Sequence, residues 1–134
     1  MESVLDRLLR RGVCQRDADA YFDDTYHPDV VIHEDPALPY GGLYVGFDGA
    51  ARHALAFLAT WDQYQRPEHH DLRHRVFLGI GEALVTWQLR LADGTETKIF
   101  PAVSYYRFAS GLVVEARMFH FDSAALLEYL ATAP

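Results

Sequence analysis

His33, Glu34 and Asp35 stand side by side in the run Val30-Val31-Ile32-His33-Glu34-Asp35-Pro36. An imidazole next to carboxylates supplies the parts of an acid/base pair, and an apolar run delivers them. Pro36 has no amide hydrogen to give a sheet and holds the residue before it extended. Asp35 is therefore expected at the end of a short strand or just past it. Alternate side chains of a strand share a face, so Val31, His33 and Asp35 point one way and Ile32 and Glu34 the other. At the mouth of an apolar pocket, His33 and Asp35 would move protons. The same residues also suit a solvated strand end. Pro39, Gly41 and Gly42 then turn the chain.

A chain of 134 residues is one domain, residues 1–134, with enough length to bury a core. Half of its residues are hydrophobic, which excludes a disordered chain. The formal net charge of -7 argues against nucleic acid and anionic membranes as partners, since both need clustered Lys and Arg. Cys14 is the single cysteine, so no internal disulfide and no Cys-based zinc site is expected, and a cytoplasmic setting fits. Met1-Glu2-Ser3 opens no apolar signal core, and no run approaches the roughly 18 apolar residues that span a bilayer.

The periodicity places elements around the His-Glu-Asp run. Val4, Leu5, Leu8 and Leu9 have helical spacing, and residues 15–22 read as a second helical piece. A strand covers 30–35. Asp48 is the expected cap of a helix over 50–61, with Ala51, Leu55, Leu58 and Ala59 as its apolar face and Ala54 and Phe57 widening it. Strands follow over 70–78, 83–91, 98–108 and 112–121. Asp93-Gly94 marks a hairpin, and Pro101 suggests a bulge or edge. A short helix covers 124–130, capped by Asp122 or Ser123. Helices beside a four-strand antiparallel meander make an α+β fold.

This order of elements, the Ile32-His33-Glu34-Asp35-Pro36 stretch followed by Gly42 and Gly46, and Tyr105-Tyr106-Arg107-Phe108 before a turn and a last strand resemble the nuclear transport factor 2-like superfamily. Within it the chain is most similar to the ketosteroid isomerase and SnoaL-like polyketide cyclase branches. The resemblance implies a cystatin-like cone: a curved antiparallel sheet wrapped around N-terminal helices, holding an apolar small molecule. It also implies a homodimer, for which the convex sheet face is available. Asp35 matches the proton-shuttling Asp of the isomerases' Glu-Asp-Pro step. Their oxyanion donors do not carry over, because the helix-one Tyr falls near Leu9 or Arg10 and the sheet Asp near Ser104. Losing such donors removes roughly 2.7–4 kcal/mol each at other oxyanion sites, which argues against a steroid isomerase. On the same pattern Ala116, Met118 and His120 face the cavity, with Asp122 at the strand end in the place of a cyclase acid/base residue.

Asp35, His33, His120 and Asp122 are thus the candidate catalytic residues. A carboxylate in an apolar cavity is poorly solvated and becomes a stronger base, while His titrates near neutrality. The pair suits abstraction of a proton next to a carbonyl, followed by isomerisation, ring closure or dehydration. Tyr40, Tyr44, Trp61, Tyr105 and Met118 are candidates for the substrate wall. His27, His53, His69 and His70 are read as structural or exposed, and His74 as a core residue or a cavity neighbour. A metal site from His33, Asp35, His74 and His120 lacks any short ligand motif, and Gly41-Gly42 with Gly46 lacks the Lys of a phosphate loop, so neither metal nor cofactor is expected. Two rival readings remain: epoxide opening by Asp35 with Asp62 or Asp122, and a ligand-binding or assembly module without chemistry.

Overall fold

The computed structural model describes residues 4, 25–66, 74–94 and 96–133. Six strands form one sheet: β1 (Tyr26–Glu34), β2 (Gly42–Val45), β3 (Arg75–Gly79), β4 (Glu82–Asp93), β5 (Glu96–Ala109) and β6 (Leu112–His120). Among the described residues two helices accompany it, α1 (Gly46–Trp61) and α2 (Ser123–Thr132), with a 3-10 turn at Asp62–Tyr64. The expected N-terminal helical pieces lie, Val4 apart, outside the described residues; Val4 packs against the core.

The strand order is β2-β1-β6-β5-β4-β3. The meander β3 to β6 is antiparallel as its turn signals predict, and Gly94 closes the β4–β5 hairpin at φ +64°. β1 joins it parallel to β6, so the curved sheet is mixed rather than purely antiparallel. β1 also begins earlier than expected, running through Pro28. The β1–β6 register shifts between Tyr26 and Val31, and a residue without an amide hydrogen fits where the ladder is already irregular. β2 gives no readable signal in sequence: it is four residues long, sits at the sheet edge and begins on the second of two glycines. Pro101 lies inside β5 without a bulge, where β6 runs out; the shift in the β5–β6 ladder falls at Arg107 and Phe108.

α1 lies across the sheet through Gly49, Ala50, Ala54, Phe57 and Trp61, the buried residues of the helix. The expected face differs: Leu55 is 63% exposed, and Ala59 is exposed too. Two apolar stripes overlap on this helix, and the one carrying Phe57 and Trp61 removes more surface from water. Gly49 allows the close approach, because a Cβ there would meet the Tyr44 carbonyl carbon at 2.8 Å. Asp48 is not the cap; it lies in the first turn, where its charge complements the helix N-terminus. The core consists of Val30 and Ile32 of β1, Val85, Leu89 and Leu91 of β4, Val113 of β6, Trp61 and Leu126, each essentially without exposure.

Candidate functional site

Burial settles the parity of β1. Val30, Ile32 and Glu34 face the core, whereas His33 lies on the outer face with Nε2 3.5 Å from Glu115. The expected face is therefore reversed: Glu34, not Asp35, enters the interior. Val30-Val31-Ile32 is apolar on both faces, so the run itself could not choose. Asp35 lies just past the strand, as Pro36 requires. Its carboxylate accepts from the Ala37 amide at 2.9 Å and from the Ser123 hydroxyl, tying the loop to the start of α2. Gly41 closes that loop; a Cβ there would lie 2.2 Å from the Asp35 carbonyl oxygen.

The Glu34 side chain is only 2% exposed, and two imidazoles share its carboxylate. His53 Nε2, from α1, stands 2.7 Å from Oε2. His120 Nε2, from the end of β6, stands 3.5 Å from Oε1, an ion-pair distance too long for a strong hydrogen bond. Burial alone would raise the Glu34 pKa. The hydrogen bonds and charges of His120 and His53 outweigh it and hold the carboxyl below its ordinary value of 4.5. Ionised Glu34 only accepts, so each facing Nε2 carries a proton and each Nδ1 is left as the ring's other functional nitrogen. The two rings differ in access. The His53 side chain is 14% exposed; that of His120 is 1% exposed, and its Nδ1 is buried with no hydrogen-bond partner among the described residues.

Aromatic side chains enclose this cluster. The Tyr44 ring stands edge-on to His53 at 5.1 Å between centroids, and the Tyr40 ring at 6.4 Å. Tyr40 also packs on Phe57 and accepts a 2.7 Å hydrogen bond from the Trp61 indole. Burial, with the nearby charges of Glu34 and Asp35, pushes the Tyr40 hydroxyl pKa far up despite that hydrogen bond. Beyond His120, Trp87 donates to Ser104 at 2.9 Å, and Ser104 contacts the Met118 sulfur at 3.1 Å. Tyr106 is buried on this side, and burial pushes its hydroxyl up to about 12.

Of the expected site residues, His120, Tyr40, Tyr44, Trp61 and Met118 are thus on the inner side. Asp35 and His33 are not part of the carboxylate–imidazole cluster. Asp122 is the N-cap of α2, accepting from the Ala125 amide at 3.0 Å, and it is exposed. Tyr105 is on the outer face, bonded to Glu82 at 2.7 Å; Ser104 faces inward, so its strand neighbour cannot. His74 is exposed, and Asp62 opens the 3-10 turn at the far end of α1. Glu34 and His53 are the residues that sequence reasoning missed. A signal for His53 existed: it lies three residues after Ala50 and four before Phe57, beside the stripe that ends at Trp61. Among the described residues, no group of three or more His, Cys, Asp or Glu side chains is arranged to hold a metal ion. No described helix is long and apolar enough to cross a membrane.

A groove of about 410 Å³ is lined by Arg75, Thr86, Gln88, Val103, Phe119 and Phe121, and also touches Trp87, Ala102 and His120. Thr86, Gln88 and Val103 alternate with the buried Val85, Trp87, Ala102 and Ser104, so most of the lining side chains belong to the outer face, with Trp87 and His120 at the groove from the inner side.

Known proteins share this architecture. TerC, crystallised with polyporic acid, superposes with a TM-score of 0.72 at 17% identity, over 92% of this chain and 93% of that one. A nuclear transport factor 2-like protein of unknown function from Burkholderia pseudomallei gives 0.69 at 22% identity, over 99% and 100%. A candidate SnoaL-like polyketide cyclase from Jannaschia sp. CCS1 gives 0.64 at 20% identity, over 98% and 93%. No curated protein matches the chain in sequence. The family model of the SnoaL-like domain matches residues 6–116, a span that contains Glu34 and His53 and stops short of His120. The chain belongs to the SnoaL-like domain family.

Proposed function

We propose that the protein is a general acid/base enzyme that moves a proton on an apolar, carbonyl-bearing small molecule, by isomerisation or ring closure. One observation carries this reading: the buried Glu34 carboxylate holds His53 at 2.7 Å, and His53 retains some access to solvent. A carboxylate that fixes an imidazole by one nitrogen leaves the other as a directed base, the logic of carboxylate–His pairs in general. His53 Nδ1 takes the proton from the carbon next to the carbonyl. The C–H electron pair moves into an enolate. The protonated His53 then returns the proton to another carbon, or the enolate carbon attacks a second carbonyl of the same molecule and the new alkoxide takes the proton. His120 stabilises the ionised Glu34 from its other oxygen. Polyporic acid in the TerC crystal supports a carbonyl-bearing ligand.

The test is proton exchange in deuterium oxide on 2-tetralone, an apolar bicyclic ketone, followed by NMR. The wild-type protein is expected to accelerate deuterium entry next to the carbonyl. Exchange no faster than with the His53→Gln variant would remove the reading.

A homodimer through the outer sheet face belongs to the same proposal. Phe77, Leu84 and Phe119 lie exposed there, at 56%, 38% and 51%. Sedimentation velocity is expected to show a dimer for wild type and a monomer for Phe119→Asp; a monomeric wild type excludes it.

A further inference from the structure

Enolate chemistry needs a donor at the oxygen as well as a base at the carbon, since preorganised donors supply much of the stabilisation of a developing oxyanion. We propose that Tyr40 is that donor and that Trp61 holds its hydroxyl ready; this rests on the proposed function of Glu34 and His53.

The geometry around Tyr40 points to this role. Trp61 Nε1 has a proton to give and no lone pair to accept with. Its 2.7 Å contact therefore fixes the Tyr40 oxygen as the acceptor. The Tyr40 proton must then point elsewhere, and no described residue accepts it. Both residues are buried, at 3% and 0% exposure, so the hydroxyl is turned away from bulk solvent. A buried donor without an acceptor is costly to keep, which marks it as a place where a ligand oxygen can bind. Accepting from the indole also polarises the phenol and strengthens it as a donor.

The backbone and neighbours hold the ring in place. Its carbonyl accepts from the Tyr44 hydroxyl at 2.7 Å, and its ring packs edge-on to Phe57 and Trp61, 5.5 and 6.3 Å away. The Tyr40 ring, from the loop between β1 and β2, thus lies against both His53 and Trp61 of α1, so the donor sits beside the base. The substrate class is narrowed accordingly: a ketone or enone whose enolate oxygen lies against Tyr40 while its acidic carbon lies against His53. A hydroxyl-bearing aromatic enol is the corresponding inhibitor.

The test uses 2-naphthol, the aromatic enol analogue of 2-tetralone, whose ultraviolet absorption separates naphthol from naphtholate. Wild type is expected to bind it with a red-shifted, naphtholate-like spectrum, and Tyr40→Phe to weaken binding by about 10–100-fold, the range for a hydrogen bond to a charged group. Replacement of Tyr40 by 3-fluorotyrosine keeps the shape and makes the phenol more acidic. It is expected to shift the bound spectrum further toward naphtholate, which a merely structural ring would not do. An unchanged spectrum with 3-fluorotyrosine overturns the inference even if Tyr40→Phe fails to fold. If His53→Gln abolishes 2-tetralone exchange while Tyr40→Phe leaves 2-naphthol affinity intact, the inference fails alone. If wild type neither exchanges 2-tetralone nor binds 2-naphthol, the proposed function fails with it.

Discussion

In the His53→Gln variant, deuterium exchange into 2-tetralone falls by about 10²–10⁴-fold, the usual contribution of a positioned acid/base group. The glutamine amide keeps an N–H to donate to Glu34 and keeps the fold, but it has no nitrogen that can take a proton at neutral pH. The comparison variant is Asp35→Asn, which stays close to the wild-type rate, because the Asp35 carboxylate is held by Ala37 and Ser123. His53→Ala supplied with free imidazole is expected to regain part of the lost rate, since the vacated volume admits the ring. The reverse pattern, an inactive Asp35→Asn and an active His53→Gln, would transfer the base to Asp35 and end the present assignment.

The second large effect is on stability. Glu34→Ala lowers the unfolding free energy at pH 7 by about 3–5 kcal/mol, the range for removing one partner of a buried ionic contact. Two imidazoles lose their common acceptor at once, and His120 has no exposed side on which water could replace it. The sign with pH follows from the lowered carboxyl. Its contribution is fully present above the unfolded value, near 4.5, and is lost as pH falls through the lower folded value. Urea unfolding of wild type and Glu34→Ala should therefore show a gap at neutral pH that closes in acid below pH 4.5. A gap that widens in acid would contradict the lowered carboxyl. The triple variant Glu34→Leu, His53→Leu, His120→Leu is expected to be more stable than Glu34→Ala, because well-packed apolar side chains remove the unpaired groups altogether. If it is less stable, the cluster is itself a net contributor to the fold.

Neither effect concerns the residues that stand out first in the sequence. The Glu-Asp-Pro step draws attention to Asp35, whereas the carboxylate that the fold buries is its neighbour Glu34. Local chemistry explains both. Pro36 fixes where β1 ends, so Asp35 is positioned by its covalent neighbour alone. Which face of β1 is inner depends on what packs on it, and Val30, Val31 and Ile32 suit either face. His120 is placed inside by the family resemblance, whose pattern turns Ala116, Met118 and His120 inward; hydrophobicity alone would not do so, because the outer residues Phe119 and Phe121 are apolar and exposed. The Trp87 neighbour and Glu34 partner of His120 come from strands distant in sequence.

By itself, then, the sequence determined a single α+β domain, the meander, the hairpin at Asp93-Gly94, the loop that Pro36 starts and the aromatic character of the interior. Each of these follows from side-chain period, backbone chemistry at Pro and Gly, or hydrophobicity, which act over a few residues. Tertiary structure alone decided the parity of β1, its parallel pairing with β6, the addition of β2 and the stripe by which α1 docks. These choices are set by which surfaces bury most against one another across the sheet. They are also what brings Glu34, His53 and His120, separated by 19 and 67 residues along the chain, onto one carboxylate.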